Sequence, residues 1–368
     1  MKNLLFIFFT LFILLPMNVN AQKLVVGFIY VGPIGDIGWS YTHEMARLEL
    51  VKKYKDEIDA IYVENAKVAD IGKVCENLIK QGAKIIFATS ADFFDGVIEM
   101  AKKYPEIPFY VGGLAEKDVP NLNKRPKNVT FYLGKLEQAI YLTGIMAGEM
   151  TKTKTVGYLA SKPIIEVIIH VNAFAKGVWS VDPKIKILVE WTGQWYMPER
   201  DIALAKKLVK NGADIFFIGT DSTAAVDVAT ENKVSAIGQY SDVSRFLAES
   251  VLVSAAFNWI TIYDQEIKNY KKNISPSEAH PLGYIFPGFE NGTVYLSKVN
   301  NLVPTELKKK IEKLKIEVET GKIVIFDCPL FNDKGQAVEC HNGKFLSEKE
   351  LFSMDYGIKG LDINLPKK

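Results

Sequence analysis

The sequence predicts an α/β fold of two doubly wound lobes with a ligand cleft between them. Three observations point there. Short apolar, β-branched runs alternate with segments of helical period; the alternation restarts near the middle of the chain; and 368 residues are more than one compact core usually organises. In the first half KLVVGFIYV reads as a strand and GWSYTHEMARLELVKKY as the helix that follows it. IDAIYVEN, KIIFATS and IPFYVGG are further strands, separated by the helical segments DIGKVCENLIKQG and DFFDGVIEMAKKYP. That spacing implies parallel βαβ units, and Gly82 is a natural helix stop.

The pattern then begins again. EQAIYLTGIMAGEMTK is a helix with Gly144 and Gly148 on one face, TVGYLAS a strand, and EVIIHVNAFAKGVWSVDP a helix. KIKILVEWTG, DIFFIGTD and VSAIGQYSD are strands, with RDIALAKKLVKNGAD and TAAVDVATENK between them. DIGKVCENLIKQGAKIIFATSAD and ERDIALAKKLVKNGADIFFIGTDS share one layout: helix, glycine turn, buried strand, polar loop with an aspartate. Further on, SVLVSAAFNWITIYDQEIKNYKK is a strand running into a helix, Asn291-Gly292 signals a hairpin, and PTELKKKIEKLKIEVETG is an amphipathic helix. Residues 323–345 read as a hairpin with a polar tail after it.

Net charge is +2 with no block of Lys or Arg, which argues against nucleic acid as a partner. Lys2, the apolar run Leu4 to Leu15 and the small-residue site Val19-Asn20-Ala21 predict a cleavable leader over 1–21. A periplasmic or extracellular location is therefore expected. No cysteine near the cut offers a lipid anchor, and no later run approaches ~18 apolar residues. Cys75 falls in a helical pattern and reads as a buried small hydrophobe. Cys328 and Cys340 flank the turn Asn332-Asp333-Lys334-Gly335; they either pair as a disulfide in an oxidising compartment or remain free. With His341 they do not make a zinc spacing, so neither metal nor cofactor is expected.

In open parallel sheets ligands bind beyond the carboxyl ends of the strands. Four strand-end loops there carry aromatics or carboxylates. The first, Gly32 to Ser40, holds Asp36 and Trp39; an indole placed between a run of glycines and a helix start is suited to stacking on a flat ring. The second offers Ser90, Asp92, Phe93 and Asp95, with helix capping as the competing role of the aspartates. The third, Trp191 to Trp195, offers Trp195. The fourth offers Thr220 and Asp221, joined one unit later by Tyr240 and Asp242. Catalysis is not expected: the four histidines stand beside no nucleophile in a GxSxG or HExxH arrangement, and no P-loop or GxGxxG follows the first strand.

The segments GPIGDIGWSYTHEMAR, NAFAKG, GQW, GADIFFIGTDS, AIGQYSD and LSEKELFSMDYGIKG occur in an order that resembles the basic membrane protein family of type I periplasmic solute-binding proteins. The likeness is to its purine nucleobase and nucleoside branch and spans nearly the whole mature chain. It implies Rossmann-like lobes joined by three crossovers, here 22–133 with about 258–285 and 134–257 with about 286–368. It implies that Trp39 stacks on the base, that Asp36, Asp95 and Asp242 read its edge, and that Asn172 touches ligand. Nucleoside-binding members carry a lysine where this chain has Phe257, which removes a ribose contact and favours a bare base, adenine first. The implied role is the solute receptor of an ABC importer: a monomer that captures a purine and docks on a membrane permease. A purine nucleoside receptor, a ligand-sensing module and a nucleoside hydrolase are the alternatives.

Overall fold

The computed structural model describes residues 22–35, 37–113, 124–245 and 249–366. The expected leader and Asp36 lie outside the described residues. In chain order the first half supplies β1 (Leu24–Ile29), α1 (Trp39–Tyr54), β2 (Ile58–Val63), α2 (Ile71–Lys80), β3 (Ala83–Ala88), α3 (Phe94–Lys103), β4 (Phe109–Gly112) and β5 (Val129–Tyr132). The second supplies α4 (Leu136–Met150), β6 (Thr155–Ala160), α5 (Ile165–Val181), β7 (Lys186–Trp191), α6 (Pro198–Lys210), β8 (Ile215–Gly219), α7 (Ala224–Glu231), β9 (Ser235–Tyr240) and β10 (Val251–Phe257). The remainder adds α8 (Ile260–Lys271), α9 (Pro276–Ala279), β11 (Tyr284–Ile285), β12 (Val294–Leu296), α10 (Thr305–Glu319) and α11 (Glu348–Leu351).

These strands form two sheets, ordered β11-β5-β4-β3-β1-β2 and β12-β10-β9-β8-β6-β7. Strip the edge strands β11 and β12 and the two orders are identical, so the layout echo in the sequence is an echo of topology. Pairing is parallel throughout except β12 on β10. Helices cover both faces of such sheets, which is why β4, β5, β8 and β10 are buried along their whole length and read as unbroken apolar runs. Helix α2 shows the complementary logic: Ile71, Cys75 and Leu78 recur at helical spacing and all face the core.

The chain passes between the sheets three times, from β5 into α4, from β10 into α8, and from β11 to β12. Helix α4 packs on α5 and β10, while α8 packs on α1. The third passage corrects the hairpin expected at Asn291-Gly292. The turn is present, with Gly292 at φ +75, but the strands flanking it pair with different sheets. A local turn signal cannot tell which sheet each arm will join.

The C-terminal segment also departs from expectation. Between 323 and 345 there are isolated bridges, such as Phe331 with Ala337 and Asp327 with Phe345, rather than strands. Cys328 and Cys340 are joined as a disulfide across this turn. The tail beyond is not simply polar: Leu351, Phe352, Met354, Ile358 and Leu361 are all buried. Their spacing follows neither a helical nor a strand period, so the burial left no pattern to read.

Candidate ligand-binding site

A cavity of about 510 Å³ lies between the lobes. It opens where strand order reverses, between β1 and β3 in one sheet and between β6 and β8 in the other. Chain segments leave such neighbouring strands in opposite directions, and a crevice forms at their carboxyl ends. The first lobe lines it with Pro33 and Trp39 after β1, Ser90 and Asp92 after β3, and Gly112 and Gly113 after β4. The second contributes Lys162 and Glu166 after β6, Gln194, Trp195 and Tyr196 after β7, Asp221 after β8, and Tyr240 at the end of β9.

Trp39 is the first residue of α1 and is held at both ends. Its indole Nε1 donates to Thr89 O at 2.6 Å, and its backbone N–H donates to Asp221 Oδ1 at 3.0 Å. The ring stands at interplanar angles of 69–89° to His43, Tyr240, Phe257 and Trp259. Those four rings stack on one another in sequence, His43 on Trp259, Trp259 on Phe257 and Phe257 on Tyr240. The indole therefore has little freedom to turn, and a flat ligand laid on it would meet a preorganised surface. Phe257, at the place where the resemblance expects lysine, is part of this support and does not line the cavity.

Contacts between the lobes converge on the same loop. Besides the Trp39–Asp221 bond, the Ser241 hydroxyl donates to Ile37 O. Gly38 lies so close to Asp221 that a Cβ there would sit 2.3 Å from Oδ1. Two non-glycine residues here hold a left-handed backbone, Ile37 at φ 62 and Tyr240 at φ 66. Such conformations cost roughly 1–3 kcal/mol each and gather at ligand clamps.

The charged groups of the cavity are mainly acidic, with Asp92, Glu166 and Asp221 beside Lys162. Asp221 is buried and already accepts from Trp39. Asp92 is exposed at the rim, where its backbone N–H donates to Ser90 Oγ at 3.2 Å. Glu166, in the first turn of α5, has a buried Oε1 with no hydrogen-bond partner among the described residues, and burial pushes its carboxyl up to about 7. The Tyr240 hydroxyl is likewise buried and unpartnered, and burial raises its pKa well above the ordinary value. No group of three His, Cys, Asp or Glu among the described residues is placed to hold a metal ion.

Of the contacts expected from the sequence, Trp39, Ser90, Asp92, Trp195, Asp221 and Tyr240 come together at this cavity. Others stand elsewhere. Phe93 is fully buried in the outer core of the first lobe. Asp95 is exposed in the first turn of α3, outside the lining. Asn172 faces away and holds the tail, donating to Tyr356 O at 2.8 Å and accepting from Ile358 N at 3.0 Å. Thr220 donates to Asp201 Oδ2 at 3.0 Å. Asp242 pairs with Arg245 and lines a separate cavity of about 170 Å³ behind Phe257. Glu166 was not anticipated; applying the strand-end rule to the loop after β6, SKPIIE, would have found it.

Residues 23–327 match the family model for Bmp, the PnrA-like ABC transporter substrate-binding proteins. A purine-binding protein of Brucella abortus strain 2308 is 32% identical over 348 residues, covering 94% of this chain and 95% of its own. A putative ABC transporter glucose-binding protein of Haloferax volcanii is 26% identical over 342 residues, covering 93% and 82%. Among solved structures, an ABC transporter solute-binding protein of Conexibacter woesei aligns with a TM-score of 0.68 at 16% identity, over 82% of this chain and 98% of that one. That likeness is one of fold.

Proposed function

The chain belongs to the PnrA-like substrate-binding proteins of ABC transporters, and from that premise we propose that it captures a purine nucleobase, adenine foremost, in the interlobe cavity. Proteins of this family bind a solute outside the membrane and present it to a permease; they are not enzymes. No helix among the described residues is long and apolar enough to cross a membrane. The observation that carries the reading is the fixed indole of Trp39 on the cavity wall, faced by carboxylates from both lobes. A flat heterocycle with N–H donors on its edge suits that lining, and the Brucella relative's purine binding supports it. In this reading Trp39 stacks on the ring while Ser90, Asp92, Asp221 and the tyrosine hydroxyl of Tyr240 meet its edge. Asp36, three residues before Trp39 in the sequence, is proposed to join them. The leader over 1–21 is proposed to route the protein to the periplasm or cell exterior as a monomer.

Calorimetric titration with adenine, hypoxanthine, adenosine, inosine and glucose tests the reading; glucose is included because of the Haloferax relative. Adenine is expected to bind tightest. Trp39→Ala should weaken it by the worth of one stacked base, about 1–3 kcal/mol, or roughly 5- to 150-fold. Retention of full adenine affinity by Trp39→Ala, or a preference for glucose, would end the proposal. A purine nucleoside is the second reading, because the volume of about 510 Å³ leaves room beyond a single base.

A further inference from the structure

Glu166 is the carboxylate of the cavity that keeps a buried oxygen unanswered by the protein itself. It lines the wall from the second lobe, at the switch point between β6 and β8. Its Oε1 is buried with no hydrogen-bond partner, and no ion pair among the described residues reaches it. His170, one turn further along α5, is also buried; burial holds its pKa near about 3, so it stays neutral and supplies no countercharge. Tyr158 and Tyr240 are close enough to Glu166 that its charge raises their pKa values, and the Tyr240 hydroxyl has no hydrogen-bond partner either. A buried carboxyl oxygen without a donor is costly, so a fold that retains one at a cavity wall leaves it for a donor that arrives from outside.

We propose that Glu166 is the specificity-determining acceptor of this cavity, receiving a hydrogen bond from an amino group on the ligand, with the unpartnered hydroxyl of Tyr240 available to donate to an adjacent ring nitrogen. It rests on the purine reading and narrows it. Above about pH 7, where Glu166 is ionised, the site then selects aminopurines over oxopurines, because a carbonyl oxygen facing the Glu166 carboxylate leaves both acceptors without a proton.

The test compares adenine, hypoxanthine and unsubstituted purine on the full mature chain at pH 8, for wild type, Glu166→Leu and Glu166→Gln. The wild type should prefer adenine to unsubstituted purine by roughly 10- to 100-fold, the worth of a hydrogen bond to a charged group. Glu166→Leu should reduce that preference to within about twofold, and Glu166→Gln, which keeps an acceptor oxygen, should retain part of it. The unliganded Leu variant should also melt at a higher temperature than wild type, since it loses an unpaired buried carboxyl; this establishes its fold independently. If Glu166→Leu or Glu166→Gln keeps the wild-type preference in full, or the wild type prefers hypoxanthine, this proposal fails while the purine reading stands. If the wild type binds no purine base, the purine reading fails first.

Discussion

Burial changes when a side chain titrates, and several carboxyls here show it. Burial pushes Glu166 up to about 7, Glu137 up to about 8 and Asp201 up to about 6. Each holds a proton in the native state that the unfolded chain has already released by about pH 4–4.5. Between those limits these three groups bind more protons in the native state, so their contribution to stability falls as pH rises, partly offset below about pH 6.5 by the buried neutral His43 and His170. Asp264 runs the other way: burial raises it, but hydrogen bonds from Lys268, Lys53 and Tyr54 outweigh that and bring it to about 2. Its contribution is present above about pH 4 and lost as pH falls toward 2. The ligand-free protein is therefore predicted to be most stable near pH 5, with urea midpoints declining from pH 5 to 8. Glu166→Gln should flatten the part of that decline below about pH 7; an unchanged slope would show that Glu166 is not buried as described. Trp39 was legible in the sequence because helix propensity gives no reason for an indole between a run of glycines and a helix start. Glu166 was not, since a glutamate in the first turn of a helix already has an ordinary reason, the helix dipole.

At the scale of elements, what the sequence made legible was whatever repeats with a period. The parallel strands and α2 announced themselves by apolar runs and helical spacing. The glycines of α4 were also visible as a small face, and the structure shows their use. Helices α4 and α5 pack so closely that a Cβ on Gly144 would lie 2.3 Å from Phe174 O, and one on Gly177 2.1 Å from Tyr141 O. No flexible side chain can yield there, because both obstacles are backbone carbonyls. Gly177→Ala is predicted to destabilise the fold by about 1–3 kcal/mol as overpacking, despite alanine's better helix propensity. A thermal melt at or above the wild-type temperature would contradict the close crossing. What stayed illegible is long-range choice. The Asn291-Gly292 turn joins strands of different sheets, and Asn172 serves the tail because Tyr356 and Ile358 fold back on α5. No local pattern encodes a partner more than 180 residues away.

For the molecule as a whole, the lobes meet at the loop that also forms the binding wall. Trp39 N–H reaches Asp221, Ser241 reaches Ile37, and Gly38 sits against the Asp221 side chain. Ligand and closure are thus coupled through shared residues: a molecule held on Trp39 is enclosed only when Asp221 can approach. Binding proteins of this architecture close by hinge bending, and the apparent affinity of a protein whose competent state is partly populated falls by that fraction. Gly38 isolates this term. Its φ of −104 lies outside the left-handed region that favours glycine. Its Cβ, however, would meet Asp221 Oδ1 at 2.3 Å with the lobes as they stand here, a contact that parting the lobes relieves. Gly38→Ala should therefore leave the ligand-free melting temperature within a few degrees of wild type. It should raise the dissociation constant for adenine by about tenfold or more, chiefly through faster release. Small-angle scattering supplies the second reading: wild type should contract on adding adenine, and the variant should contract less at equal saturation. If Gly38→Ala binds and contracts like wild type, the contact with Asp221 does not govern closure, and enclosure must depend on the three crossing segments alone.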